Sequence, residues 1–177
     1  VFAFLDRWGV PYATLNIDAP TSRRRAFVGV DHAAEGRLAA DFLATGARRG
    51  ALVAVVSGLP RRATTLAGAD IAAERFEGCR EVARRAGLRC RLVEIDTTAD
   101  AGSESVRRAL ESERRLAGVY LMTADPTIVK ETAAATRAPI VASSASPEFL
   151  EMLRAGSLGA IVYQNPVLQG YYAVRAL

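Results

Sequence analysis

Side chains of the kinds that carry out enzyme chemistry are few in this 177-residue chain. His32 is the single histidine, so any histidine-based nucleophilic triad must include it, and no motif marks a partner for it. The sequence contains no Gly-x-x-x-x-Gly-Lys loop for phosphates, and no Gly-x-Gly-x-x-Gly turn follows a predicted strand. Glu104 and Glu111 are spaced as carboxylates on a solvated helix face usually are. We therefore predict that the chain is not an enzyme.

Cysteine usage bears on metal binding and on the compartment. Cys79 and Cys90 are the two cysteines, and their spacing fits neither a metal motif nor a disulfide framework. With a single histidine besides them, the ligands are too few for a zinc-type site, so we predict no metal and no cofactor. Buried free thiols are the simplest interpretation of the pair, which favours a reducing compartment and a cytoplasmic location.

The charge pattern argues against a nucleic-acid groove within the chain. The formal net charge is +4, and the bases are almost all arginines, in pairs such as Arg48-Arg49 and Arg114-Arg115. A nucleic-acid site clusters basic and aromatic side chains. These pairs are instead spaced evenly along the chain and mostly end predicted helices, where cations complement the helix dipole. No apolar run approaches the roughly 18–20 residues of a membrane span.

Three segments of the second half share one order of residues: an apolar strand, a polar residue, then proline. They are Gly118-Val-Tyr-Leu-Met-Thr-Ala-Asp125-Pro126, Ile140-Val-Ala-Ser-Ser-Ala-Ser146-Pro147 and Ile161-Val-Tyr-Gln-Asn165-Pro166. Asp, Ser and Asn accept hydrogen bonds from the first N–H groups of a helix, and proline suits the first helical position. Each segment is therefore predicted to be a strand, an N-cap and a helix.

The remaining segments extend this alternation to the whole chain. Gly87 is predicted to end a helix at Ala86, and the spacing of Ala34, Leu38 and Phe42 predicts a helix capped by Asp31. We predict helices ending near 8, over 33–45, from about 69 to 86 and over 104–110, and strands over 12–17, 27–30, 51–56 and 89–95. Short connections predict that successive strands are parallel neighbours. The fold class is α/β, and its ligands are expected at the carboxyl edge of the sheet.

Five segments taken in order resemble a known family. They are Val28-Gly-Val-Asp31-His32-Ala-Ala-Glu-Gly36, Ala54-Val-Val-Ser-Gly58-Leu-Pro60, Glu74-Arg75-Phe76-Glu77-Gly78, Gly118-Val-Tyr-Leu-Met-Thr123 and Ala160-Ile-Val-Tyr-Gln164-Asn-Pro166-x-x-Gln169-Gly170. The series resembles the ribose-type periplasmic sugar-binding proteins and the effector domains of lac-repressor-family regulators, which share one bilobed fold. The resemblance covers the last three-fifths of that fold.

The resemblance implies a periplasmic-binding-protein-like type I fold, with one complete lobe and a remnant of the other. Residues 1–28 would be the remnant of the N-terminal lobe, 29–164 the C-terminal lobe and 165–177 a helix returning to the N-terminal lobe. The ligand would lie in a cleft between the lobes. Because the chain starts at Val1, close to the end of a predicted helix, we expect a segment upstream of it.

The resemblance also implies a set of ligand-binding residues. Arg75 matches the arginine that holds sugar hydroxyls, and Gln164 matches the hinge glutamine. Asn16 and His32 stand where sugar binders often have aspartate and asparagine, and Leu59 would form an apolar wall. Plainer roles remain open: a surface arginine for Arg75, a strand-end residue for Gln164, and a hydrogen-bonded first-turn histidine for His32.

Two strand ends depart from the family pattern. Thr123 begins the pair where relatives have Asn-Asp, and Ser144 stands where relatives have a later aspartate. Fewer acidic groups beside Arg75 favour a sugar acid or another polar, anionic ligand over a plain pentose or hexose.

The function predicted first is the effector-binding domain of a cytoplasmic, homodimeric transcription regulator. Its ligand would be a sugar or sugar acid, and it would meet operator DNA only through a headpiece outside this chain. The alternative is the solute-binding component of an ABC sugar importer, in a periplasmic or lipid-anchored extracellular location. In either role the apolar residues of the two ends are expected to be exposed in this chain: Phe2, Phe4, Leu5, Trp8, Val167, Leu168, Tyr171, Tyr172 and Val174.

Overall fold

A computed structural model of the chain describes residues 1–58, 71–95, 101–123 and 125–177, with residues 101–103 described by their backbone alone. The elements, in chain order, are α1 (Phe2–Arg7), β1 (Ala13–Leu15), β2 (Ala26–Val28), α2 (His32–Ala44), β3 (Leu52–Ser57), α3 (Ile71–Arg85), β4 (Arg89–Glu94), α4 (Ala101–Glu111), β5 (Leu116–Met122), α5 (Pro126–Ala135), β6 (Ile140–Ala142), α6 (Pro147–Arg154), β7 (Ala160–Ile161) and α7 (Pro166–Arg175). Among these residues, no helix has the length and apolar character needed to cross a membrane.

The described residues form two units. The first contains Val1–Asp31 and Gln164–Leu177; within it β1 and β2 form a two-stranded parallel sheet, and α7 packs against both strands. The second contains the described residues between His32 and Tyr163. Its sheet has five parallel strands in the order β4-β3-β5-β6-β7.

The strand order corrects one expectation. Successive strands were expected to be neighbours, but β4 and β5 lie on opposite sides of β3. The residue pattern explains this position of β3: all six residues of Leu52–Ser57 are buried, whereas Arg89, Arg91 and Glu94 of β4 are exposed. A strand buried on both faces belongs in the middle of a parallel sheet, and a strand with exposed charges belongs at its edge.

Helix starts follow the predicted capping chemistry. The side chain of Asp125 accepts a hydrogen bond from the Thr127 N–H at 2.8 Å, that of Ser146 accepts one from Phe149, and that of Asn165 accepts one from Leu168. A proline occupies the first turn of α5, α6 and α7. The three predicted strand, cap and helix units are confirmed.

Helices cover both faces of the five-stranded sheet. Val53 and Val55 pack in one apolar cluster with residues of α2 and α3, and Ala54 and Val56 pack in a second cluster with residues of α4, α5 and α6. This alternation is what a parallel sheet covered on both sides requires. The α/β fold with a parallel sheet flanked by helices is as predicted.

The buried face of α2 is not the face that the spacing of its apolar residues predicts. Leu38 and Phe42 are 60% and 42% exposed, while Ala39, Ala40 and Leu43 are buried. The pattern of Ala34, Leu38 and Phe42 therefore predicts the helix but not its orientation. Ala39, Ala40 and Leu43 instead pack in one apolar cluster with residues of α3 and of the sheet.

Candidate functional site

Two glycines allow α2 and α3 to cross at close range. A Cβ atom on Gly36 of α2 would collide with the backbone oxygen of Arg75 in α3, and one on Gly78 of α3 would collide with the backbone oxygen of Ala33 in α2. The collisions are with backbone atoms, which cannot rotate away as a side chain can. The crossing brings the N-terminal halves of the two helices together, and with them Glu35 and Arg75.

Glu35 and Arg75 form a buried ion pair at this crossing. The Arg75 Nε and Nη2 atoms lie 3.0 and 2.9 Å from the same carboxylate oxygen, Oε2 of Glu35. Glu35 is 4% exposed and Arg75 is 8% exposed. Arg75 is therefore not a surface arginine, and that alternative is wrong.

Two hydroxyl groups extend the ion pair to the sheet. The Tyr120 hydroxyl of β5 donates to Oε1 of Glu35 at 3.2 Å, and the Ser143 hydroxyl, just after β6, donates to the Tyr120 oxygen at 2.8 Å. Tyr120 is fully buried. We call Glu35, Arg75, Tyr120 and Ser143 the polar cluster.

Burial and charge act in opposite directions on the acid of the polar cluster. Burial is the largest single influence and raises the pKa of Glu35. Proximity to His32 and the charge of Arg75 lower this pKa, and the hydroxyls of Ser143 and Tyr120 act in the same direction. The lowering effects together prevail, so Glu35 is a carboxylate at neutral pH. Burial, followed by the charge of Glu35, raises the pKa of Tyr120, which keeps its proton.

His32 borders the polar cluster at the start of α2. Its Nδ1 atom lies 3.7 Å from Oε2 of Glu35, which is too long for a hydrogen bond. The side chain is 9% exposed, and within the described part of the chain Nδ1 has no hydrogen-bond partner. A buried polar atom without a partner is costly, and a bound hydroxyl group would satisfy it.

The carboxyl ends of the strands place further polar residues beside the cluster. The strand register puts Ser57 beside Met122. The Ser143 N–H donates to Leu121 O, so Ser143 lies level with these two residues across the sheet. The predicted Thr123 and Ser144 each come one residue later, and both are half-buried. The Thr123 hydroxyl oxygen accepts the Asp125 N–H at 3.1 Å, so it also shapes the turn into α5.

The other predicted ligand residues lie in the first unit or outside the described part. Asn16 is exposed, has a left-handed backbone with φ of 64°, and donates its N–H to Val28 O. Gln164 is half-buried, and its backbone oxygen accepts a hydrogen bond from the Gln169 side chain at 2.7 Å. Leu59 lies outside the described residues.

Sequence reasoning missed three members of the polar cluster, although each carries a signal. Glu35 follows His32 by three residues, so both fall on one helical face. Tyr120 places a hydroxyl in the middle of an apolar strand, where a buried hydroxyl needs a partner. Ser143 precedes Ser144, and neighbouring strand residues point to opposite faces of the sheet, so the choice between them depends on the fold.

The members of the polar cluster partner one another, from the Glu35–Arg75 pair to the Tyr120 and Ser143 hydroxyls. These contacts hold its donors and its carboxylate in fixed positions, and polar groups fixed in this way can orient the hydroxyl groups of a ligand. Within the described residues, no three His, Cys, Asp or Glu side chains are grouped as metal ligands. A cavity of about 570 Å³ in the same unit is lined by Arg48, Arg49, Arg114 and Arg115 but by no member of the polar cluster.

Comparison with known proteins supports the fold. Residues 5–177 match the family model described as periplasmic binding protein domain. No curated protein matches the chain significantly. GanP, a glucose-galactose binding protein from Geobacillus stearothermophilus, is 26% identical with a TM-score of 0.76; the match covers 98% of this chain and 62% of that one.

Two further solved structures show the fold alone, because their sequence identities are lower. The sugar-binding protein of a sugar ABC transporter from Bacillus halodurans is 20% identical, with a TM-score of 0.79 over 99% of this chain and 60% of that one. A protein assigned as a LacI transcriptional regulator, from Bacteroides fragilis, is 14% identical, with a TM-score of 0.76 over 99% and 61%. The chain thus spans about three-fifths of the length of these structures.

Proposed function

Because the chain belongs to the periplasmic binding protein domain family, we propose that it binds a small, polar, sugar-like molecule. The observation that carries the proposal is the polar cluster, which lies where the N-terminal halves of α2 and α3 meet the C-terminal half of β5 and the carboxyl end of β6. In parallel α/β sheets this edge is where ligands bind. GanP, whose name describes glucose and galactose binding, supports a sugar as the ligand class.

His32 is the group that we assign to the ligand first. Its Nδ1 atom is buried without a hydrogen-bond partner among the described residues, so a ligand hydroxyl there would add a bond without breaking one. The Nε and Nη2 atoms of Arg75 already contact Glu35. We propose that the remaining N–H groups of its guanidinium face the ligand. Thr123 and Ser144 would add hydroxyls. Asn16, Gln164 and Leu59 stay predictions from the family resemblance, as do the lobe boundaries at 28 and 164.

The proposed activity is reversible binding without a chemical step. The ligand would shift the conformational equilibrium of the protein by making contacts that only one state offers. Two biological roles use such a domain, and they differ in what the bound state does: it is presented to an importer, or it changes the DNA affinity of a regulator.

We propose solute binding for an importer as the first of these roles. The regulator prediction drew on the two cysteines as evidence for a reducing compartment. The two sulfurs lie only 3.9 Å apart, so the pair is compatible with an oxidising compartment as well. The 26% identical structure is a glucose-galactose binding protein.

The regulator role, with its DNA headpiece and homodimer, remains the second candidate because the LacI-type structure shares the fold. A helix-turn-helix coded upstream of Val1 would decide for the regulator, and a signal peptide would decide for the importer.

A thermal-shift screen tests the binding proposal. The panel is ribose, glucose, galactose, glucuronate and galacturonate, because a ligand of the native state raises stability according to its concentration over its dissociation constant. With Thr123 and Ser144 in place of longer or acidic groups, we expect a hexose or its uronic acid to stabilise the chain more than ribose does. A screen in which ribose gives the largest shift contradicts the specificity proposal, and a screen in which no sugar shifts the transition contradicts the sugar proposal.

A matched variant sharpens this specificity test. Ser144→Asp restores the acidic group that relatives have at the end of this strand. A new carboxylate repels a uronic acid and accepts hydrogen bonds from neutral sugar hydroxyls, so the variant is expected to lose uronate binding relative to the neutral hexose. Ser112→Asp, at an exposed position after α4, is the control and is expected to leave the ranking unchanged.

A further inference from the structure

The two cysteines lie against each other, although the sequence gives them no motif. Cys79 lies in α3 and is fully buried, and Cys90 lies in β4 and is half-buried. Their Sγ atoms are 3.9 Å apart and both are thiols. Helix α3 packs against β4, so the backbones that carry the two sulfurs are already neighbours.

We propose that Cys79 and Cys90 are an oxidation site, at which a peroxide converts the two thiols into an intramolecular disulfide that joins α3 to the edge strand β4. A disulfide bond is about 2.05 Å long, so the sulfurs must approach by about 2 Å, a movement within reach of side-chain rotation. The residues are 11 positions apart in sequence, and the bond would close a short loop containing the end of α3 and its turn at Gly87.

The surroundings assign different roles to the two thiols. A hydrogen bond with Cys79 lowers the pKa of Cys90 and the charge of Arg80 adds to the lowering, while burial and the charge of Glu77 oppose it. The hydrogen bond with Cys90, followed by burial, raises the pKa of Cys79. Cys90 is therefore the sulfur that reacts first, since the thiolate is the nucleophile and Cys90 is the partly exposed member.

The reaction balances in two steps. The Cys90 thiolate attacks one oxygen of hydrogen peroxide, the O–O bond breaks, and the products are a Cys90 sulfenic acid and hydroxide, which takes up a proton to become water. The Cys79 sulfur then attacks the Cys90 sulfur and gives up its proton, and the sulfenic oxygen leaves as a second water. One peroxide is reduced and two thiols are oxidised to one disulfide.

The bond would act on the helix that carries the polar cluster's arginine. Cys79 follows Arg75 by four residues, so the two side chains lie on the same face of α3, one turn apart. Fixing α3 to β4 restrains the unfolded chain and holds this helix in place. The proposed disulfide does not depend on the proposed function, because its formation concerns the two thiols alone.

Mass spectrometry and melting of the native chain test this proposal. After treatment with hydrogen peroxide, the intact protein is expected to lose two hydrogen atoms in mass. Trypsin is expected to release residues 76–80 linked to residues 90–91, since arginines precede and end both peptides. The oxidised chain is expected to melt at a higher temperature, and dithiothreitol is expected to reverse the shift.

Variants keep the test decisive. Cys90→Ser removes the half-buried thiol and is expected to abolish both the linked peptide and the melting shift, while the reduced variant melts close to the reduced wild type. If Cys79→Ala fails to fold because Cys79 is fully buried, the Cys90→Ser result stands alone. Two free thiols remaining after peroxide treatment, or a disulfide between two chains in place of the internal one, would overturn the proposal.

Discussion

Arg75 shows how one side chain can have a structural role and a proposed binding role together. The family resemblance predicts a ligand-binding arginine, and the structure gives it a buried carboxylate partner in a neighbouring helix. A guanidinium has donors in several fixed directions, so two of them can hold Glu35 while another faces a ligand. The resemblance could supply the residue but not Glu35, because the contact spans 40 positions in sequence and depends on the crossing of α2 and α3.

The ion pair predicts a large effect of one substitution on stability. Arg75→Ala leaves the Glu35 carboxylate buried without its countercharge, which is expected to lower the free energy of unfolding by about 3–5 kcal/mol. Urea unfolding followed by circular dichroism measures this change. The control is Arg80→Ala on the same helix, whose exposed ion pair with Glu77 is expected to be worth about 0–1 kcal/mol. Equal losses in the two variants would show that burial does not set the strength of the Glu35–Arg75 pair.

The lowered pKa of Glu35 predicts how stability depends on pH. A carboxyl whose pKa is lower in the folded state stabilises the fold above its unfolded pKa, near 4.3 for glutamate. This contribution is lost as the pH falls from there through the folded pKa. We therefore expect the difference in unfolding free energy between the wild type and Glu35→Gln to be constant above about pH 5 and to shrink in more acidic solution. Parallel stability curves for the two proteins down to pH 3 would contradict this expectation.

Elements could be predicted from the sequence where local chemistry decides them. The N-caps Asp125, Ser146 and Asn165 act on N–H groups within three residues, so the sequence alone contains their signal. The orientation of α2 could not be predicted in this way, because Leu38 and Phe42 are exposed while Ala39, Ala40 and Leu43 are buried. That choice follows from the close crossing at Gly36 and Gly78, which is a contact between distant segments.

The crossing itself predicts opposite effects of the same substitution in different helices. Gly36→Ala and Gly78→Ala each place a Cβ atom against backbone of the facing helix and are expected to lower the free energy of unfolding by about 1–3 kcal/mol. Gly170→Ala in α7 is the matched control, since nothing lies within 4 Å of its added Cβ atom. There the higher helix propensity of alanine is expected to raise stability by up to about 1 kcal/mol. If all three variants were more stable than the wild type, the conclusion that α2 and α3 cross too closely for a Cβ atom at Gly36 or Gly78 would be wrong.

The whole molecule exposes apolar side chains at both ends of the chain. Trp8, just after α1, is 66% exposed, and Val167 and Val174 of α7 are 77% and 73% exposed. Of the residues expected to be exposed, Phe2 and Leu5 are instead half-buried, and Phe2 stacks on Tyr12 with the ring centroids 5.7 Å apart. Strand order is the other whole-molecule feature that the sequence did not predict. Strand β4 pairs with β3 at the edge of the sheet, and β3 lies between β4 and β5.

This exposed surface predicts that the chain associates with itself. Light scattering of the purified 177-residue chain is expected to give a mass above the 18.9 kDa of one copy, increasing with concentration, since exposed apolar surface favours association. Val167→Glu combined with Val174→Glu changes only exposed positions seven residues apart on α7, and is expected to reduce the mass towards one copy. A monomer that binds no hydrophobic dye at any concentration would contradict the prediction.

The central claim, that a sugar-like ligand binds beside the polar cluster, is tested most directly at His32. As the only histidine, it gives a single imidazole Hε1 signal in proton NMR, which needs no assignment by mutation. Titration with the panel sugar that gives the largest thermal shift is expected to move this signal to a plateau, with the dissociation constant that calorimetry finds for the same sugar. Heat of binding in calorimetry with a His32 signal that does not move would contradict the claim, because the sugar would then bind away from the polar cluster.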